Sequence, residues 1–252
     1  WIGMNGGEAN IYNTSGGNIH HLTSSSGLSN KTSFYYGFAQ DSQSRIWVSS
    51  TGGGGMDIID EKNGTFKTAS AENGLSSNII NDLFTDSHDR IWMSNGRTSV
   101  LDVIDVKAGT IKHLDSAQGI SKSGTGSVFE DSQGQIWIVR DGIYVINEKN
   151  ESIKKLPFDK NLPFVGSNFV EDNNGLVWAG TDNGLVVINE KEGSIKYLLI
   201  KGLKEFESLN LEKDSQGNIW IGTTGNGLFM ASPGSGTITG FNVANGLANE
   251  VM

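Results

Sequence analysis

The stretch Glu130-Asp131-Ser132-Gln133-Gly134-Gln135-Ile136-Trp137 decides how the rest of the chain is read. An acidic residue opens a turn, glycine closes it, and an aliphatic residue and a tryptophan start a strand. The pattern returns at Asp172-Asn173-Asn174-Gly175-Leu176-Val177-Trp178 and at Asp214-Ser215-Gln216-Gly217-Asn218-Ile219-Trp220. Looser copies stand at Asp41-Ser42-Gln43-Ser44-Arg45-Ile46-Trp47 and Asp86-Ser87-His88-Asp89-Arg90-Ile91-Trp92. Trp1-Ile2-Gly3 reads as a sixth copy already past its turn. Trp1, Trp47, Trp92, Trp137, Trp178 and Trp220 lie 46, 45, 45, 41 and 42 residues apart. A period of about 40–50 residues is that of propeller blades.

The rest of each unit repeats too. After Trp178 come Gly180-Thr181-Asp182-Asn183-Gly184, the run Leu185 to Asn189, the turn Glu190 to Ser194, and Ile195-Lys196-Tyr197-Leu198. The unit of Trp137 follows the same steps. Each unit therefore holds four short runs rich in β-branched and aromatic residues, bounded by Gly, Asn, Asp and Ser. They are designated a to d, with the acidic turn between a and b and the tryptophan on b. No segment keeps a 3.6-residue period over ten residues, so almost no helix is expected. The expected fold is all-β, a β-propeller of about six four-stranded antiparallel blades. Five a strands and six b–c–d sets are expected. The first unit lacks its own strand a, and the terminal blade is either incomplete or closed by Glu250-Val251-Met252. Residues 1–252 are read as one propeller domain, or as a propeller piece of a longer protein.

The repeated Asp, Gly and Trp have structural work to do. The Asp can accept backbone N–H bonds of its turn, and the Gly can adopt positive φ. The Trp fills the space between neighbouring blades, and its indole N–H needs a partner. A catalytic group repeated around a propeller would not fit the single centre of that fold.

Composition narrows the function. With 19 Lys+Arg against 28 Asp+Glu the net charge is −9, which gives no footprint for nucleic acid or for an anionic membrane surface. The 252 residues include no cysteine, which removes disulfides, thiolate metal sites and a cysteine nucleophile. No run approaches the ~18–20 apolar residues of a membrane span, so no direct membrane insertion is expected of this chain.

Asp-Ser-x-Gly-x-Ile-Trp-Ile-Gly-Thr, Gly-Leu-x-x-Ile-Asn and Asn-Gly-Leu-Ser-Ser-Asn together resemble the two-component-regulator propeller repeat, over essentially the whole chain. The resemblance implies the periplasmic ligand-sensing part of a membrane receptor, typically a hybrid two-component histidine kinase. Many such receptors respond to oligosaccharides. The family usually carries more repeats followed by a small β-sandwich. The chain departs from it in having about six repeats and no sandwich, membrane helix or kinase.

The b–c loops and the d–a connections make one face of a propeller, and candidate ligand contacts are sought there. Arg97 and Arg140 break the Gly-Thr pattern of the b–c loops and suit a carboxylate or sulfate group. Asp182 stands in the equivalent loop of its unit. Tyr35, Asn78 and Asn168 fall on or beside the inner a strands, where aromatic, amide and hydroxyl groups suit a sugar. Tyr35 and Tyr36 are adjacent, so at most one faces the channel. Phe158, Pro163, Phe164 and Phe206 mark an interaction edge or local lids. His20, His21 and His113 fall on outer d strands and His88 in an a–b turn, so no catalytic centre is assembled. No catalytic residue, metal or cofactor is expected. The expected partner is a small molecule or oligosaccharide, with homodimerisation through the receptor. A propeller lyase or glycosidase and a protein-interaction scaffold are the alternatives.

Overall fold

A computed structural model of the protein describes residues 2–4, 8–12, 19–29, 35–50, 52–95, 98, 100–120, 126–139, 142–147, 152–157, 168–181, 184–198 and 209–248. Among them every regular element is a strand or a single 3₁₀ turn. A three-stranded sheet comes first: β1 (Ile2–Met4), β2 (Glu8–Tyr12) and β3 (Ile19–Leu22). Five four-stranded sheets follow. They are β4–β7 (Tyr35–Gln40, Ile46–Ser50, Met56–Asp60, Thr65–Ala69) and β8–β11 (Ile80–Thr85, Arg90–Asn95, Leu101–Asp105, Thr110–Leu114). Then come β12–β15 (Val128–Glu130, Ile136–Val139, Ile143–Asn147, Ser152–Lys155) and β16–β19 (Phe169–Glu171, Val177–Thr181, Gly184–Asn189, Ser194–Leu198). The last is β20–β23 (Leu209–Lys213, Ile219–Thr223, Leu228–Ser232, Thr237–Phe241). Strands pair antiparallel in chain order within each sheet, the up-and-down arrangement of a propeller blade. The expected five a strands and six b–c–d sets are all present.

The chain divides into two compact units, Trp1–Val128 and Phe129–Met252. In the first, Trp47 and Met56 pack with Leu75, Ile80, Leu83, Ile91, Met93 and Ile104 of the next sheet. In the second, Trp137 packs with Phe169, Val177 and Ala179, and Trp178 packs with Leu211, Ile219 and Ile221. Strand alternation explains the arrangement. Side chains on a strand face opposite sides in turn, so Trp178 packs towards the following blade while its neighbours Val177 and Ala179 pack with Trp137 of the preceding one.

Each acidic turn is a hub that joins its own strand to this core. Asp131 Oδ1 accepts the N–H groups of Gln133 at 3.0 Å and Gln135 at 2.9 Å, and Oδ2 accepts the Trp137 indole at 2.8 Å. The same bond reaches the indoles of Trp47, Trp92, Trp178 and Trp220 at 2.8, 2.7, 3.0 and 2.9 Å. Gly134 closes its turn at φ 77°, but in the looser copies Ser44 and Asp89 stand there at φ 63° and 65°. A left-handed non-glycine residue costs about 1–2 kcal/mol. At Asp89 this is offset, since its carboxylate accepts Ser42 N–H and Oγ–H, both at 2.6 Å, from the preceding blade.

The motif Asn-Gly-Leu, with its variants Ser-Gly-Leu and Gln-Gly-Ile, is a capped 3₁₀ turn after strand d. Four are described: η1 (Ser24–Ser26), η2 (Ala71–Asn73), η3 (Ser116–Gln118) and η4 (Val243–Asn245). The last turn residue reaches back to the cap N–H, as Asn73 Oδ1 does to Ser70 at 2.6 Å. The aliphatic residue after the glycine is an anchor: Leu28, Leu75 and Ile120 are all buried.

Candidate functional site

Four residues before the turn Asp, at Gly37, Asp82 and Asn168, the inner strand touches its neighbour. Asn168 Oδ1 accepts Leu211 N–H at 2.8 Å and its Nδ2 donates to Leu211 O at 2.6 Å, so one amide latches two blades. At the equivalent Gly37 a side chain is excluded, because a Cβ would lie 2.7 Å from Ser49 Oγ and 3.0 Å from Leu83 N. Asp82 holds this position in the third blade, immediately after a bulge in β8, and accepts hydrogen bonds from Ser127 and Val128. Bulges of this kind re-aim side chains and are common beside functional sites.

Asp82 keeps partial solvent contact, yet burial pushes its carboxyl up to about 6 against the bonds from Val128 N–H, Leu83 N–H and Ser127. The folded pKa is above the unfolded 3.8. The associated stability is therefore full below pH 3.8 and is lost as pH rises through about 6. Asp82→Asn reproduces the Asn168 latch without the charge. It is expected to raise stability by roughly 1–3 kcal/mol at pH 7–8 and to change little near pH 4. Urea unfolding at both pH values checks this, and equal effects at both would contradict the assignment.

A second polar feature lies where b–c loops meet d–a connections. Asp102, on β10, is fully buried. Its Oδ2 accepts from Ser76 N–H (2.8 Å), Ser76 Oγ (2.9 Å) and Asn95 Nδ2 (3.0 Å), and its Oδ1 lies 2.6 Å from His113 Nδ1. The brace joins the connection after η2 to β9, β10 and β11. Asp57 does the same one blade earlier, accepting Ser29 N–H at 3.0 Å and Thr68 Oγ1 at 3.1 Å. Asn10 Oδ1 meets His21 Nδ1 at 2.5 Å in the first sheet. Later blades replace this pair by apolar or stacked ones in the same c–d register: Tyr144 with Lys155, Val186 with Tyr197, Phe229 with Gly240. A carboxylate orienting a histidine is a general-base arrangement. Here the carboxylate also carries three other donors, which makes it a cross-brace. Asp57 and Asp102 were not singled out from sequence. The signal was available, since each is an acid inside an aliphatic run that must find donors once buried.

Of the residues singled out from sequence, Arg97, Arg140 and Asp182 lie outside the described residues, as do Phe158, Pro163, Phe164 and Phe206. Tyr35 starts β4 and pairs with Ser50, just before a bulge, while its side chain lies outside the described set. Asn78 sits where expected beside an inner strand. Its Oδ1 accepts Ala71 N–H at 2.6 Å and its carbonyl accepts Gly55 N–H at 3.0 Å, tying η2 to a b–c loop. Asn168 uses both ends of its amide on Leu211. The structure thus brings Asn78, Ser76, Thr98 and Asn95 together on one loop face, and it places Asn168 in an inter-blade latch. Among the described residues no helix is long and apolar enough to cross a membrane.

Blades of four antiparallel strands in chain order, with inter-blade tryptophans, define a β-propeller protein. Residues 207–225 match the family described as two component regulator propeller. The turn and tryptophan of that segment recur in the other blades. Solved propellers are similar in fold. The extracellular domain named for the hybrid two component system BT3049 from B. thetaiotaomicron has a TM-score of 0.71 at 16% identity, covering 94% of this chain and 33% of that one. That of BT4673 from the same organism has 0.68 at 20%, covering 87% and 31%. Virginiamycin B lyase from Staphylococcus aureus has 0.65 at 19%, covering 82% and 69%. The chain spans about a third of the two receptor domains. None of the curated proteins compared with it matches its sequence.

Proposed function

We propose that the chain is an extracytoplasmic ligand-sensing propeller of a bacterial signal-transduction receptor, binding an oligosaccharide without catalysis. The observation that carries this reading is the two-component-regulator propeller repeat at residues 207–225, recurring through the chain. The extracellular receptor domains similar in fold support it. Its one described histidine–carboxylate pair at the loop face, His113 with Asp102, is tied into a structural brace, which favours binding over a lyase-type reaction. The ligand contacts are loop-face residues of each unit taken by itself: in the first, Arg97 meets an acidic group and Tyr35 and Asn78 meet hydroxyls; in the second, Arg140 and Asp182 offer the same chemistry. Asn168 supports that surface from the inner strand. The signal passes through loop or dimer contacts to the receptor's membrane segment.

Calorimetry against acidic and neutral oligosaccharides tests the reading. An acidic oligosaccharide is expected to bind. Arg97→Ala and Arg140→Ala are each expected to weaken it by about 1.5–3 kcal/mol, the worth of a charged hydrogen bond, and to leave neutral sugars unaffected. Acidic oligosaccharides binding equally to wild type and to both variants would remove the arginines from the site. No binding of any oligosaccharide by the intact receptor ectodomain would remove the sugar.

A further inference from the structure

Two residues before the tryptophan, the repeat carries a side chain that completes the Asp hub. Arg45 Nε donates to Asp41 Oδ2 at 2.6 Å, and Arg90 Nε to Asp86 Oδ2 at 2.7 Å. Both guanidinium groups also lie over the indole, 5.6 Å from the Trp47 ring centroid and 5.4 Å from that of Trp92. Gln135 and Asn218 supply an amide donor to the same oxygen, at 3.2 and 2.9 Å. The fifth blade breaks the series, for it has Leu176 there. Asp172 is nevertheless buried, and among the described residues its Oδ2 accepts the Trp178 indole alone, at 3.0 Å.

Beside this incomplete hub lies a cavity of about 240 Å³. Asp172 and Trp178 line it together with Leu176, Leu198, Ala231 and Ile238, and Lys196 is also on its wall. It is smaller than the ~300–1,000 Å³ of a drug-sized site and suits a fragment. The walls are mainly aliphatic and aromatic, with Asn174, Ser232 and Thr237 among them. The one buried group with an acceptor to spare is an anion. An occupant must therefore carry a short apolar stem and a cationic planar donor.

We propose that this cavity is a binding site for an alkylguanidinium group, which takes the place that Arg45 and Arg90 fill in their own blades. The molecule itself supplies two examples of the occupant's chemistry, a guanidinium bonded to the turn carboxylate and stacked on the tryptophan. Lys196 does not oppose it. Lys67 and Lys112 hold the same place on the outer strands of the two blades that carry Arg45 and Arg90, so ammonium and guanidinium already coexist there. The site is independent of the loop-face site proposed above and does not rest on it.

The test uses the whole chain and the indole N–H resonance of Trp178, assigned with Trp178→Phe. n-Butylguanidinium is expected to shift that resonance saturably. n-Butylammonium, lacking the planar fork, is expected to bind at least tenfold more weakly, and n-butanol to give no saturable shift. Leu176→Arg supplies an internal occupant and is expected to weaken n-butylguanidinium at least tenfold while raising Tm by about 2–4 °C. Leu176→Gln, which copies Gln135, is a second cap in case the arginine variant misfolds, and it should also weaken binding. Absence of a saturable shift, or a shift unchanged in a folded Leu176→Arg or Leu176→Gln, would overturn the proposal. Blocked arginine (N-acetyl-arginine methylamide) separates the two sources of the group. Affinity equal to n-butylguanidinium assigns the site to an arginine side chain of a polypeptide, and a tenfold loss assigns it to a free alkylguanidine.

Discussion

Asp86→Ala is expected to destabilise the protein by about 3–5 kcal/mol, the cost of breaking a buried charged network from one side. Four donors converge on this carboxylate. Oδ1 accepts His88 N–H at 3.0 Å and Arg90 N–H at 2.9 Å, and Oδ2 accepts Arg90 Nε and the Trp92 indole, both at 2.7 Å. Alanine leaves that indole unpaired in a side chain that is 2% exposed. It also releases the turn and removes the counter-charge of a guanidinium that lies against the Trp92 ring. Buried donors left without acceptors cost about 1–3 kcal/mol each, more when charged, so the loss exceeds that of an ordinary surface acid. The pH dependence has a definite sign. Burial pushes the Asp86 carboxyl up, but the bonds from Arg90 and Trp92 outweigh it and hold the pKa below 3.8. The stabilisation is therefore full above pH 3.8 and is lost as pH falls through the folded value. Urea unfolding should show the whole difference between wild type and Asp86→Ala at pH 6–7 and a shrinking one towards pH 2. Asp214→Ala is the control. Its turn is more open, although the bonds from Asn218 and Trp220 still hold the Asp214 carboxyl down at about 2, and a smaller loss is expected. Equal losses at the two turns would show that the hub works through turn geometry alone.

That hub shows how far the sequence could be read. The spacing of Asp, Gly and Trp specifies a turn entering a strand, and turn acid and tryptophan were each assigned a structural need. What spacing alone did not reveal is that each satisfies the other, Asp Oδ2 accepting the indole six residues on. The link is geometric, since turn and strand start fold the acid back against the ring. Strand number and order were legible because period-2 patterning and glycine-rich turns are local. The Asn-Gly-Leu motif was legible as a repeat, but its 3₁₀ form depends on a side-chain cap such as Asn73 to Ser70, which composition does not announce. The Asp102 brace was least legible. His113 looked like an outer-strand residue with nothing to do, because its partner is fixed by cross-strand register, Asp102 opposite His113, and not by nearness in sequence. The candidate site was legible only by residue type. Arg97, Arg140 and Asp182 stand on loops, where chemistry can be named from the residue but position cannot. For Asn168, strand position decided the matter, since its amide is turned onto Leu211 by the neighbouring blade.

Trp137→Ala is expected to cost about 3–5 kcal/mol, as for other fully buried aromatic side chains cut to alanine. Trp137 has no solvent exposure, and it packs edge-on against Phe169 with centroids 6.1 Å apart, within a cluster that joins β13 and β14 to β16, β17 and β18. Its loss opens a cavity between two blades that each contribute β-branched side chains, which are stiff at χ1 and collapse poorly into the space. Trp220 separates the two roles of the residue. Its indole bond to Asp214 is 2.9 Å against 2.8 Å for Trp137 to Asp131, so the hub is equivalent. Its ring, however, is partly exposed and is covered by Phe241 stacked at 5.6 Å. If inter-blade burial is what the tryptophan contributes, Trp220→Ala should cost clearly less than Trp137→Ala in the same urea titration. Trp137→Phe, which keeps most of the apolar volume but loses the N–H bond, should fall between wild type and alanine. If the Asp–indole bond were the main contribution, Trp137→Ala, Trp220→Ala and Trp137→Phe would instead lose similar amounts, near the ~1.5–3 kcal/mol of one charged hydrogen bond. The ordering of these three variants therefore decides whether the repeated tryptophan is chiefly a core residue shared by two blades or chiefly the lock of its own turn.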